Sequence, residues 1–213
     1  TDPNPLVAGK GAGILRRHGI EVQTGLLEKE ARYLNRVFVQ YITTRRPWVV
    51  LKSAVTLDGR IAAASGDSKW GRCEESRHLA HELRGRYAGI MAGIGTVLAD
   101  DPMLNCRLDG MRQPVRVIAD SYASLPLDSA LALTAKDYRT IVAHTSEAGA
   151  ERLEALRGLG VETLECTASA GRVDIRNLLE ILGEAGFSSV LVEGGAELNW
   201  SLISEDCVDE YYV

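Results

Sequence analysis

A glutamate and two glycines stand between an apolar run and a predicted helix in the segment SVLVEGGAELNWSLIS. Glu193 ends the apolar run, and Gly194 and Gly195 form the junction with the helix. Paired glycines at such a junction let a diphosphate approach the backbone, and the helix N-terminus offers unpaired N–H groups and a partial positive charge. The same glycines are also typical of a tight turn that binds nothing. The pattern is not G-x-G-x-x-G, so it does not indicate an ordinary Rossmann domain.

Lys52 is a second candidate for chemistry, because it interrupts the apolar run WVVLKSAV. An ammonium group inside a strand is costly unless it is paired or functional. The alternative is a lysine at the edge of the sheet that faces water. Farther along, the polar loop Ser65–Ser68 could hold an anion or simply turn the chain.

Two further pairs of side chains could bind a metal ion. Asp100 and Asp101 suit metal binding or proton transfer, but a helix start or a turn before Pro102 is the alternative. His78 and His81 are three residues apart on a predicted helix, a spacing that can bind zinc. No further ligand follows at a suitable spacing, so we expect no metal site in this chain.

Predicted strands and helices alternate from Trp48 onward, which indicates an α/β domain with a mostly parallel sheet. Apolar residues three and four positions apart predict helices over residues 73–86, 149–160 and 173–186, with Leu79 and Leu83 on one face of the first. Before Pro47, the pattern predicts a short helix closed by Gly19 and an amphipathic helix over Leu26–Tyr41. The predicted strands cover residues 48–55, 87–93, 115–120, 140–145, 161–166 and 189–195.

The composition is that of a globular protein without a membrane span. The 213 residues are 46% hydrophobic and 25% charged, and the formal net charge of −5 argues against a broad nucleic-acid surface. Four cysteines without a C-x-x-C pair indicate a reducing compartment, and the N-terminal residues are not a signal peptide. We therefore expect a cytoplasmic protein that binds neither nucleic acid nor membrane.

Nine short runs carry a resemblance that spans nearly the whole chain. They are DPNPLVAGKG, K-x-A-x-x-L-D-G from Lys52, GDSKW, LR at Leu83, GIGTVLADDP, L-x-x-R from Leu104, PVRVIADS, VLVEGG and VDE. In this order they resemble the bifunctional enzyme of riboflavin biosynthesis that joins diaminohydroxyphosphoribosylaminopyrimidine deaminase to 5-amino-6-(5-phosphoribosylamino)uracil reductase. Each run alone is weak evidence, but nine in register are strong evidence.

The resemblance implies two parts of unequal size. Residues 1–46 would be the C-terminal remnant of a cytidine-deaminase-like domain with its linker. Residues 47–213 would be a reductase domain of dihydrofolate-reductase-like fold, a mostly parallel sheet flanked by helices, with its last strands expected after Val213. The sequence contains neither H-A-E nor P-C-x-x-C. Zinc and the deaminase activity are therefore expected only in a longer, bifunctional protein.

The resemblance also implies a reaction, the reduction of a ribosyl group to ribityl by hydride transfer from NADPH to the first ribose carbon. Lys52 and Glu193 would be the catalytic pair. Substrate-contacting positions would be Ser68, Arg84, Leu104, Arg107 and Glu193. Cofactor-contacting positions would be Ala54, Trp70, Thr96, Asp100, Ser121, Gly195, Ala196, Glu197, Leu198, Asn199, Trp200 and Ser201. Arginine suits the substrate phosphate because its guanidinium donates two parallel bonds; for Arg84, complementing the dipole of its helix is the alternative.

Two departures from the family pattern concern the cofactor. The pair Gly71–Arg72 follows Trp70 where the family usually has isoleucine and threonine, and Ser124 replaces a frequent basic residue. Arg72 could supply the missing cation for the cofactor's 2′-phosphate. A homo-oligomer is expected, since the family's reductase domains commonly pair. Two other functions stay open, a non-catalytic nucleotide-binding module and a reductase of another pyrimidine or a pterin.

Overall fold

The computed structural model describes residues 1–55 and 73–213. Three positions predicted to be functional, Ser68, Trp70 and Arg72, lie outside the described residues, as does the polar loop at 65–68.

Strands and helices alternate as the hydrophobic pattern predicts, and the fold is α/β. The strands are β1 (Trp48–Lys52), β2 (Gly89–Gly93), β3 (Val115–Ala119), β4 (Thr140–His144), β5 (Glu162–Glu165), β6 (Ala168–Ser169), β7 (Arg172–Val173), β8 (Ser189–Glu193) and β9 (Glu210–Tyr212). The helices are α1 (Lys10–Arg17), α2 (Glu28–Leu34), α3 (Arg36–Thr44), α4 (Glu74–Arg86), α5 (Ile94–Asp100), α6 (Ala130–Leu133), α7 (Ala150–Gly158), α8 (Ile175–Glu184) and α9 (Ala196–Ser204).

Seven strands form one sheet in the order β5-β4-β3-β2-β8-β1-β9, and each pairing between neighbours is parallel. The expectation of a mostly parallel sheet is therefore confirmed. From β2 the chain proceeds outward through β3, β4 and β5, and β8 then returns to lie between β1 and β2. The carboxyl ends of β1, β8 and β2 thus meet at the point where the strand order reverses, the usual position of a ligand site in an open parallel sheet.

Side chains along each central strand alternate between two apolar layers. In β1, Val49 and Leu51 belong to the layer covered by α8 and α9, whereas Val50 belongs to the layer covered by α4 to α7. In β8, Val190 and Val192 likewise face α8 and α9, and Leu191 faces the other layer. Because side chains alternate with a period of two, the next residues, Lys52 and Glu193, both lie on the side of α4.

The N-terminal segment differs from the predicted pattern. One helix was expected over Leu26–Tyr41, but α2 ends at Leu34 and α3 begins at Arg36. At the break, Asn35 has φ −100° and ψ 16°, and its side-chain amide donates to the carbonyl of Ala31 at 2.8 Å. Asparagine competes with the helix in this way because its short side chain bonds to nearby backbone.

Helix α3 is attached to the sheet through polar contacts. The guanidinium of Arg36 lies 2.9 Å from the Glu210 carboxylate, Arg46 pairs with Asp209, and the Tyr41 hydroxyl donates to the Gly183 carbonyl at 3.0 Å. Helices α1, α2 and α3 contain no buried residue. This segment is therefore fixed at one edge of the sheet by α3, without contributing to the apolar core.

Two local predictions need correction. Leu79 and Leu83 were expected on one face of α4, but Leu83 is buried while Leu79 is exposed, and Ala80 completes the buried face. For Asp100 and Asp101, the alternative to a chemical role was a position at a helix start or in a turn before proline. In the structure, Asp100 is instead the last residue of α5. Asp101 terminates that helix, and its carboxylate accepts from the Ala130 N–H of α6 at 2.9 Å.

Among the described helices, none is both long enough and apolar enough to cross a bilayer.

Candidate active site

The centre of the candidate site is the carboxylate of Glu193, at the end of β8. Its side chain is 8% exposed and is bound by two cations. Arg84 of α4 donates from Nε to Oε1 and from Nη2 to Oε2, both at 2.8 Å. The ammonium of Lys52, at the end of β1, lies 3.8 Å from Oε2. The pair that sequence analysis predicted, Lys52 and Glu193, is therefore close in space, because strand register places the two residues side by side.

The electrostatics of this cluster favour a charged carboxylate. Burial lowers the pKa of Arg84, but its hydrogen bonds to Glu193 and the attraction of that carboxylate outweigh burial and raise the pKa above its ordinary value. The side chains of Lys52 and Arg84 are only 13% and 15% exposed, so water screens the three charges weakly. Two adjacent cations stabilise the ionised form of Glu193, which makes this residue an acceptor of hydrogen bonds and a poor donor of protons.

Arg84 makes contacts that were expected neither from a role in binding the substrate phosphate nor from a role in complementing the helix dipole. Beyond Glu193, it donates from Nη1 to the backbone carbonyl of Asn105 at 3.1 Å. Three of its five N–H groups are thus engaged within the protein. Arg84 holds the carboxylate and the loop after α5 in place, which leaves Arg107 as the more available cation for a phosphate.

The loop after α5 carries Leu104, Asn105 and Arg107 to the same edge of the sheet. Leu104 is buried and adopts φ +47°, a left-handed conformation that an apolar side chain rarely takes. Arg107 is exposed and contacts His81 of α4, with its Nε 3.1 Å from the ring Nε2 and its backbone N 3.3 Å from Nδ1. Burial lowers the pKa of His81, and the positive charges of Arg84 and Arg107 lower it further.

The glycine turn after Glu193 approaches α5 closely. Gly194 has φ +101° and Gly195 has φ +90°, both in the region that side chains rarely adopt. A Cβ atom at Gly194 or Gly195 would lie 3.1 or 3.3 Å from the hydroxyl oxygen of Thr96. No side chain caps the N-terminus of α9 at Gly195. Thr96 and the free N–H groups of α9 therefore border a narrow space without side chains, as a diphosphate requires.

The other predicted cofactor positions fall into two groups. Ala54 follows β1, Thr96 lies in the first turn of α5 after β2, and Ser121 follows β3, so these three lie at the carboxyl ends of strands, whereas Asp100 ends α5 one turn beyond Thr96. The remaining predicted positions belong to α9, where their side chains differ widely in exposure. Leu198 is packed in the core, Trp200 is 70% exposed, and Ser201 donates to the backbone carbonyl of Glu197.

Asn199 is the member of α9 that fits a ligand best. Its Oδ1 is buried and has no hydrogen-bond partner among the residues that the structure describes. A buried polar atom without a partner is costly and calls for an explanation such as a ligand. The glycine turn and this unpartnered acceptor are features that a dinucleotide could use.

Sequence reasoning missed two features of the site. His81 was considered only as a zinc ligand, although its spacing of three from Arg84 places both residues on one face of α4. The pairing of Arg172 with Glu197, 3.0 Å apart, joins the β6–β7 hairpin to the first turn of α9 and had no signal in the sequence. Among the described residues, no group of three or more histidine, cysteine or acidic side chains could hold a metal ion.

Comparison with known proteins identifies the family. The model of the RibD C-terminal domain family matches residues 47–213. The riboflavin biosynthesis protein RibD of Actinobacillus pleuropneumoniae is 47% identical over 212 residues, which cover 100% of this chain and 56% of that protein. The chain thus spans little more than half the length of such curated relatives.

Solved structures share the architecture. A diaminohydroxyphosphoribosylaminopyrimidine deaminase/5-amino-6-(5-phosphoribosylamino)uracil reductase of Thermotoga maritima superposes with a TM-score of 0.79 at 38% identity, over 96% of this chain and 54% of that one. A riboflavin biosynthesis reductase of Saccharomyces cerevisiae superposes with a TM-score of 0.60 at 30% identity, over 84% of this chain and 80% of that one. The chain therefore belongs to the RibD C-terminal domain family.

Proposed function

We propose that this chain is an NADPH-dependent reductase of riboflavin biosynthesis that converts the ribosyl group of 5-amino-6-(5-phosphoribosylamino)uracil into ribityl. The observation that carries the proposal is the cluster of Lys52, Glu193 and Arg84 beside the glycine turn, at the point where the strand order reverses. Similarity to reductases of this pathway supports it.

The cofactor, when bound, supplies a hydride to the first ribose carbon. Lys52 donates a proton to the ring oxygen as the bond between that oxygen and the carbon breaks, which leaves a protonated imine that the hydride reduces to the neutral amine. The ionised Glu193 orients the Lys52 ammonium and has lone pairs left to accept hydrogen bonds from sugar hydroxyls. Of the two residues predicted to move a proton, Lys52 is therefore the donor and Glu193 its positioning partner.

The binding roles follow from what each region offers. The glycine turn and the α9 N-terminus would hold the diphosphate, and the Asn199 oxygen would accept a hydrogen bond from the cofactor. Arg107 would bind the substrate phosphate. The Ser124 hydroxyl donates to Asp120 at 2.9 Å and brings no cation, so the proposed preference for NADPH over NADH depends on Arg72.

The same proposal covers the arrangement of the longer protein. Residues 1–46 would be the C-terminal part of a deaminase domain and residues 47–213 the reductase domain, a boundary supported by the start of the family match at residue 47. Zinc would belong to the deaminase part, and the reductase domains would pair into a homo-oligomer in the cytoplasm.

The test is NADPH oxidation by the purified chain in the presence of the phosphoribosylaminouracil, followed by absorbance, with mass spectrometry of the product. The proposal predicts turnover and a product heavier by two hydrogen atoms. NADPH binding without turnover would instead indicate a non-catalytic nucleotide-binding module. Turnover only with another pyrimidine or a pterin would indicate a different reductase in the same fold.

A further inference from the structure

His81 and Arg107 contact each other at two points. His81 lies on α4, three residues before Arg84, and Arg107 lies in the loop that follows α5. The Arg107 guanidinium approaches the ring Nε2 through Nε at 3.1 Å, and its backbone N–H approaches Nδ1 at 3.3 Å. The Cys106 thiol donates to the carbonyl of His81 at 3.1 Å, which also ties the loop to the helix.

Both contacts with Arg107 require an imidazole that accepts a hydrogen bond. Neutral imidazole has one acceptor nitrogen and one donor nitrogen, so each tautomer can satisfy one of the two contacts. The protonated ring has two donors and satisfies neither. Protonation of His81 would therefore remove the acceptor that faces Arg107 and would add a third positive charge beside two arginines.

The surroundings of His81 keep it neutral. The charged and titratable groups that face it in the described part of the chain are Arg84 on its own helix, Arg107 and Cys106 on the loop, and Glu193 on β8. Burial lowers the pKa of His81, and both arginines lower it further, whereas Glu193 and a hydrogen bond with the Asn105 backbone raise it by less. The balance of these effects favours the neutral ring over the protonated one.

We propose that His81 is a positioning residue that holds Arg107 in place to bind the substrate's phosphate. The guanidinium contact uses only Nε, so four N–H groups of Arg107 stay available to a phosphomonoester, and the side chain is exposed to solvent. The inference rests on the proposed function and deepens it. It implies that acid weakens substrate binding by releasing Arg107, and that the hydride-transfer rate is affected much less.

The test uses two substitutions of His81 and one matched control. In His81→Gln, the amide oxygen can take the place of Nε2 as an acceptor that does not titrate between pH 5.5 and 8.5. In His81→Leu, the acceptor is lost. The control is His78→Leu on the same helix, where the exposed native ring lies 3.4 Å from the Glu82 carboxylate. Steady-state kinetics with the phosphoribosylaminouracil give KM and kcat across this pH range, and thermal unfolding reports the fold.

At pH 8, we expect His81→Leu to raise the substrate KM about five- to tenfold, the effect of one charge-assisted hydrogen bond at a partly exposed position. The kcat should stay within about twofold, and His81→Gln should resemble the wild type. Below pH 6.5, the wild-type KM should rise more steeply than that of His81→Gln. The substrate phosphate titrates in this range as well, but equally for both proteins.

An unchanged KM in His81→Leu, or superimposed pH profiles of wild type and His81→Gln, would overturn the inference. Equal losses in His81→Leu and His78→Leu would do the same, because they would indicate a general effect on α4. Binding of ribose 5-phosphate, measured by calorimetry, separates the inference from the proposed function. His81-dependent binding without any turnover would refute the reductase assignment and support the positioning role, whereas absence of both would refute both.

Discussion

Replacing Arg84 with alanine should destabilise the fold far more than replacing its neighbour Arg86. Arg84 makes two 2.8 Å bonds to a carboxylate that is 8% exposed, and alanine would leave that charge with a less favourable environment. Loss of one partner from a buried pair costs about 3–5 kcal/mol. Because the Lys52 ammonium remains 3.8 Å from Glu193, we expect the lower end of that range, about 3 kcal/mol.

Arg86→Ala is the matched control, because both arginines stand in the last turn of α4 but Arg86 is exposed. Complementing the helix dipole is worth about 0.3–1 kcal/mol at either position. Urea unfolding followed by circular dichroism measures the difference. With a slope of about 2–3 kcal/mol per molar urea, the midpoint of Arg84→Ala should fall by about 1–1.5 M. Equal, small shifts in the two variants would refute the ion-pair reasoning and favour the dipole interpretation.

Three further predictions concern the cofactor side and the core. Gly195→Ala should raise the Kd for NADPH at least about tenfold, because the new Cβ would crowd Thr96 at a φ of +90°. Fluorescence titration measures this Kd, and an unchanged value would contradict the prediction. Asn199→Ala should leave the unfolding free energy of the unliganded protein equal or higher, since the lost oxygen has no partner, while weakening NADPH binding; a loss of stability without NADPH would contradict this. Arg116→Met should cost more than about 3 kcal/mol in urea unfolding, because this fully buried guanidinium donates to Thr140, Thr134 and three backbone carbonyls; a smaller loss would show that the network contributes little.

The sheet and its helices could be predicted because their signals are local. Continuous apolar runs in β1 and β8, and apolar spacings of three and four in α8, are signals carried within each short segment. The register that pairs Lys52 with Glu193 follows once both strands are placed in one parallel sheet. Polar residues at the ends of these strands then indicated the site.

The contacts that define the site depend on distant parts of the chain. Arg84 and Glu193 are 109 positions apart, and no local pattern at either residue indicates their bidentate pairing. The sequences of α5 and of the β6–β7 hairpin show only weak apolar periodicity, so sequence analysis predicted neither element. At Asn35, a side-chain bond to the backbone ends a helix that the apolar spacing alone would continue. These features are set by tertiary packing and by local competition for hydrogen bonds.

The central claim is that Lys52 donates the proton that opens the ribose ring so that the hydride can be transferred, and Lys52→Met tests it most directly. Single-turnover stopped-flow with bound NADPH and the phosphoribosylaminouracil measures the hydride-transfer rate, with Lys136→Met as an exposed control. General acid assistance is worth about 10²–10⁴-fold, so Lys52→Met should lower the rate within that range while NADPH still binds and the fold persists. A variant that unfolds at a much lower temperature, yet transfers hydride at the wild-type rate in the cold, would show that Lys52 only stabilises Glu193 and would contradict the account.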